Sequence, residues 1–92
     1  MKPTTLEESA QLEVQGAEAR LENGIRSLRE FQKIFGEIND DGVFTFRAGI
    51  DAALLASLER ELRGHHIEID EAWRAVKHAQ AVFAETKEER NA

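Results

Sequence analysis

His65, His66, Glu68 and Asp70 come closest, by type and spacing, to a transition-metal site. Neutral imidazole and carboxylate together suit zinc or nickel. Adjacent histidines diverge in either a strand or a helix, and His78 falls on a separate element. The group therefore reads as exposed side chains of a polar loop, and no metal is assigned. A second candidate is the acidic turn. With Gly42 as the loop glycine, Glu37, Asn39 and Asp41 fall on the first three ligand positions of a calcium loop. The position that needs a bidentate carboxylate is Ala48, so the turn reads as a solvated reversal.

Catalytic groupings are sparse. The chain has no Cys and no Tyr. Its serines, Ser9, Ser27 and Ser57, each fall inside an expected helix, and none stands on a glycine-flanked elbow. Glu59 and Glu61, at i,i+2, do not share a helix face. The expectation is a non-catalytic protein with no cofactor.

The elements that must carry these residues are mostly helical. Ala10, Val14, Ala17, Leu21, Gly24, Leu28, Phe31, Phe35 and Ile38 alternate spacings of four and three, an unbroken heptad seam. Ile25 and Ile34 widen it. Thr4 or Thr5 can cap its start, and Thr5 with Glu8 has capping-box spacing. The spacing predicts one long helix over about 5–38, with Gly36 as an alternative stop. Asn23-Gly24 is a turn dipeptide, but the seam crosses it without a phase slip, which favours continuity. Glu22 with Arg26 and Lys33 with Glu37 are i,i+4 pairs of opposite charge.

Beyond it, Asn39 to Gly42 is a turn signal, and residues 43–46 alternate as a short strand. Ile50, Leu54, Leu55, Leu58 and Leu62 predict a helix over about 48–63, closed by Gly64. Residues 65–69 read as loop or strand, able to pair with 43–46. Asp70 then caps a helix over about 70–87, with Trp73, Val76, Ala79 or Gln80, and Phe83 on its face. Residues 85–92 are polar and expected to fray. The expected fold is mainly α: a single domain over 1–92, a three-helix arrangement with a long N-terminal helix and a minimal strand element near 43–46.

Composition narrows the partner. The chain has 92 residues, with 12 Lys+Arg against 18 Asp+Glu and a net charge of -6. The acid excess is greatest over residues 1–24, and no quarter of the chain is net basic, so direct nucleic-acid binding is not expected. The arrangement of the last two helices also fails as a helix-turn-helix. Its connector is too long, and Asp70 and Glu71 occupy the end that would face phosphates. The longest apolar run, Ala52 to Ala56, is far short of a membrane span. Residues 1–5 lack a leader's apolar stretch, so a cytoplasmic location is expected.

The seam directs the functional expectation. A helix of about 35 residues spans about 50 Å, more than either later helix could cover. The expected role is protein–protein assembly through the long helix, as a homodimer, with Val14, Leu21, Ile25, Leu28, Phe31 and Phe35 as interface anchors. The alternative is a small acidic inhibitor or adaptor of the mobile-element type. It would use Glu7, Glu8, Glu13, Glu18 and Glu22 to block a basic nucleic-acid-binding surface on its target. A secretion-type chaperone would use the same apolar surface as the dimer.

Overall fold

A computed structural model describes residues 5–91 of the chain, with side chains through residue 88. It contains two helices and a two-stranded antiparallel sheet: α1 (Leu6–Phe35), β1 (Gly36–Ile38), β2 (Phe44–Phe46) and α2 (Ala52–Asn91). The helices pack against one another and the sheet closes one end. The long axis measures 61 Å and the shortest 16 Å. Forty residues of helix rise about 60 Å, so α2 accounts for the full length. The molecule is a single layer of two helices.

α1 begins where the sequence places it. The Thr5 hydroxyl accepts from the Glu8 N–H at 3.1 Å, and the Glu8 carboxylate accepts from the Thr5 N–H at 3.4 Å. This reciprocal box satisfies two of the donors that a helix start leaves unpaired. Glu7 and Glu8 also meet the positive end of the helix dipole. The helix passes through Gly24 unbroken. Thr4, the other capping candidate, lies outside the described residues.

α1 ends at Phe35 rather than near Ile38, because residues 36–38 are the first arm of a β-hairpin. Gly36 pairs with Phe46, Glu37 with Thr45 and Ile38 with Phe44. Asn39 makes the reversal. Its side-chain oxygen accepts from the N–H groups of Asp41 and Val43, at 3.0 and 2.9 Å. Gly42 follows at φ +81, a conformation that favours glycine. Arg47 then ties the hairpin to the helix end. Its backbone N–H donates to the Phe35 carbonyl and its guanidinium to the Lys33 carbonyl, two groups that a helix terminus leaves without partners.

Gly36 is required by close approach. A Cβ there would collide with the Thr45 carbonyl oxygen and lie 2.6 Å from the Phe44 ring. Gly36→Ala should therefore cost about 1–3 kcal/mol, the usual range for overpacking. Urea unfolding followed by circular dichroism measures it; an unchanged midpoint would mean that the strands have room to separate.

The expected helices over 48–63 and 70–87 are one helix, and a three-helix arrangement does not form. The short strand pairs with 36–38, not with 65–69, which is helical. The reason lies in the spacing. Leu55, Leu58, Leu62, His65, Ile69, Ala72, Val76, Ala79 and Phe83 alternate steps of three and four without a slip, so a second heptad seam runs through the Gly64 region. Gly64 itself is off the seam, and a Cβ there would meet nothing within 4 Å. Asp70 caps nothing; it forms a 3.1 Å i,i+4 ion pair with Arg74 inside the helix. The helix also continues through the polar stretch from residue 85 to Asn91.

An interior glycine costs about 1 kcal/mol relative to alanine. With open space around it, Gly64→Ala should raise stability by about 0.5–1 kcal/mol, read as a rise in melting temperature. A fall would show that the backbone at residue 64 departs from regular helix.

The core is graded along the hairpin. Away from the sheet it is built of small residues: Ala10, Ala72 and Ala79 are buried, with Val76 at 2% exposure. Gly24 lets α2 approach closely, since a Cβ there would stand 3.3 Å from Ile69 Cγ1. Towards the sheet the core becomes aromatic. Phe31 is buried, with its ring centroid 5.0 Å from Phe35, 6.3 Å from Phe46 and 5.2 Å from His65. Phe44 stacks edge-on to Phe46 at 4.9 Å. Leu58 is the remaining buried apolar residue.

Candidate interaction surface

The two seams face each other, and this decides where the anticipated interface residues lie. Val14, Leu21, Leu28, Phe31 and Phe35 are seam residues of α1. Phe31 is buried and the other four are half-buried. Ile25, one position beyond the seam residue Gly24, is also half-buried. The length mismatch expected from three helices disappears, because α2, at 40 residues, is longer than α1, at 30.

What remains is a mismatch of thickness. With only two helices, each seam has cover from one side alone. Among the described residues six apolar ones are buried, and three of them are alanines. Leu55, Leu62 and Ile69 on α2 are half-buried like their counterparts on α1. Trp73 is 46% exposed, and Leu12, Ile34, Leu54 and Ile67 are each at least half exposed.

The hairpin has two unlike flanks. Residues one position before the seams line a groove of about 680 Å³, where Gly16, Asn23 and Ser27 of α1 oppose Gly64 of α2. Arg20 spans it, 3.4 Å from Glu68 and 3.9 Å from Glu71. Residues before the seam thus lie on the same side in both helices. Those one position after the seam must lie on the other side, since helices of one hand run antiparallel here. On α1 these are Glu18, Glu22, Ile25 and Arg29; on α2 they are Glu59, Arg63, His66, Asp70, Trp73 and Lys77. All the charged members are exposed. Glu22, Ile25, Arg26 and Arg29 border a shallow hollow of about 380 Å³ on this side. A second, of about 530 Å³, runs from Arg29 past Lys33 to Ile38.

The anticipated acidic surface is carried entirely by α1. Glu8, Glu13, Glu18 and Glu22 are exposed and Glu7 is half-buried. Among the described residues no ion pair joins Glu22 to Arg26 or Lys33 to Glu37, so these side chains do not pair along the helix as expected. Lys77 instead lies over the Trp73 ring, 5.2 Å from its centroid.

The histidines separate. His65 takes a seam position against Phe31, while His66 is exposed on the flank. Among the described residues no three His, Asp or Glu side chains converge as a metal site. The turn oxygen of Asn39 is engaged by two backbone N–H groups. No described helix is long and apolar enough to cross a membrane. Comparison with known proteins finds no matching family model, curated protein or solved structure.

The flank pattern was present in the sequence, but only a correct α2 seam exposes it. The sequence expectation places Trp73 on the face of a third helix. It lies one position after the seam residue Ala72, on the same flank as Ile25.

Proposed function

We propose that this protein is a non-catalytic assembly module that works as a pair of helical hairpins, two copies covering one another's half-exposed seams. One observation carries the reading: a single layer of two helices leaves Val14, Leu21, Ile25 and Leu28 on α1, and Leu62, Ile69 and Trp73 on α2, only partly covered. Burial of apolar surface stabilises by about 25 cal/mol per Å², so a second layer on these side chains adds what a chain of this size lacks. Two hairpins stacked in this way make a four-helix bundle, the common solution for helices with one apolar stripe each.

Sedimentation equilibrium over the micromolar range tests it. The expected mass is twice the 10.4 kDa of the chain, with dissociation only on dilution. A monomer at high micromolar concentration would sink the reading.

A further inference from the structure

The flank that follows the seams carries a charge order that is complementary to its own reverse. On α1, Glu18 and Glu22 precede Ile25, and Arg29 and Gln32 follow it. Glu22 stands three positions before Ile25 and Arg29 four after; Glu18 and Gln32 stand seven to either side, with Lys33 next to Gln32. On α2 the same holds about Glu68. Glu59 and Lys77 are nine positions to either side, Arg63 and Trp73 five, and His66 and Asp70 two. Glu18 opposes the neutral Gln32; each of the other pairs matches a carboxylate with a basic group, or a guanidinium with an indole face.

The two centres coincide in space. Arg20 reaches Glu68 at 3.4 Å, and Gly24 packs on Ile69, so Ile25 and Glu68 stand at one level of the hairpin. Among the described residues Glu18, Glu22, Arg29 and Arg63 enter no ion pair of their own. The opposite flank is richer in acid. Glu13, Glu30, Glu61, Glu68 and Glu71 stand there against Arg20 and His78, and Arg20 already lies within ion-pair distance of Glu68 and Glu71. Two copies joined by that side would bring carboxylates together.

We propose that two copies stack by the flank bearing Ile25 and Trp73, about a two-fold axis crossing the hairpin at the level of Ile25 and Glu68. This rests on the self-association reading above and specifies its geometry. α1 lies antiparallel to the partner's α1, and α2 antiparallel to the partner's α2. Ile25 meets the partner's Ile25 near the axis. Glu22 faces the partner's Arg29, Glu59 the partner's Lys77, and Arg63 the partner's Trp73. A two-fold repeats each contact, so the interface is isologous. Half-buried Leu21, Leu62 and Ile69 fill its centre, with the charged pairs fixing register and orientation at the rim.

A charge exchange tests it. Glu22→Arg and Arg29→Glu should each weaken the dimer roughly tenfold, since two attractive rim contacts become repulsive. The double variant E22R/R29E should return to within about threefold of the parent, as the pairs are re-formed with reversed sign. Circular dichroism of each variant checks that the hairpin is intact. The chain has no Cys, so single thiols report proximity directly. Ile25→Cys should couple into a covalent dimer with a short bis-maleimide. Leu12→Cys, more accessible at 62% exposure but on the far face of α1, should not. A dimer indifferent to both single reversals, or coupled at Leu12→Cys and not at Ile25→Cys, overturns this docking mode and leaves self-association standing. A parent chain that stays monomeric overturns both.

Discussion

Phe31→Ala should remove most of the molecule's stability. Phe31 is 6% exposed, and its ring is the hub where α1, β2 and α2 meet, through Phe35, Phe46 and His65. Truncating a buried phenylalanine typically costs about 3–5 kcal/mol, the lost transfer energy together with the cavity left behind. A chain of this length is expected to have only about 5–14 kcal/mol in total, and a single-layer hairpin belongs at the low end. The neighbours cannot collapse into the space easily. The hairpin strands are tethered to α1 by Arg47, and α2 is held along its length by the small-residue end of the seam. The contrast variant is Ile34→Ala, also on α1 but 63% exposed, which should shift stability by no more than about 0.5 kcal/mol. Urea titrations of the two give the answer. Equal losses would mean that the aromatic cluster is not the organising contact at this end.

How far the sequence spoke depended on which signal was allowed to win. At α1 the phase continuity of the seam outweighs the Asn23-Gly24 dipeptide, and the helix runs through. At α2 the local signals prevailed: Gly64 as a stop, Asp70 as a start, two histidines as a loop. Yet Leu62, His65, Ile69 and Ala72 carry the seam across the expected break. His65 hid it, because a histidine does not look apolar; here its ring packs at a tilt against Phe31. Physically, one exposed interior glycine costs about 1 kcal/mol. That is less than the burial gained by keeping Leu55 to Phe83 on one continuous face.

The hairpin was half legible. The alternation over 43–46 marks a strand, but its partner is 36–38 and not 65–69. Ile38 follows Phe35 by three, so β1 was concealed inside the helical spacing of α1. The turn itself held the clue, since a tight Asn39–Gly42 reversal brings the residues just before it beside those just after. The interaction surface was legible in composition and not in arrangement. Ile25, Glu22 and Trp73 could each be named, but their common flank exists only once α2 is a single helix running antiparallel to α1.

Val76→Asp tests that continuous seam most directly. Val76 is 2% exposed at the alanine-rich end of the core. A carboxylate there has little room for water, so ionisation in place is costly. Breaking the core with an unpaired charge should cost about 3–5 kcal/mol at neutral pH. The pH dependence has a definite sign. A buried carboxyl has its folded-state pKa raised above the unfolded value, so the folded form holds the proton more tightly. The penalty is therefore largest above the folded pKa and shrinks as pH falls towards the unfolded value. The difference between variant and parent should narrow on acidification from neutral to about pH 5. Ile67→Asp serves as the control on the same helix. Ile67 is 59% exposed and two positions from the nearest seam residue, so the change should stay within about 0.5 kcal/mol at any pH. The pair separates one helix from two. Had α2 broken near Gly64, Ile67 would belong to a connecting loop packed on the strands, and its replacement would be damaging as well. With one unbroken seam from Leu55 to Phe83, the cost falls on Val76 alone.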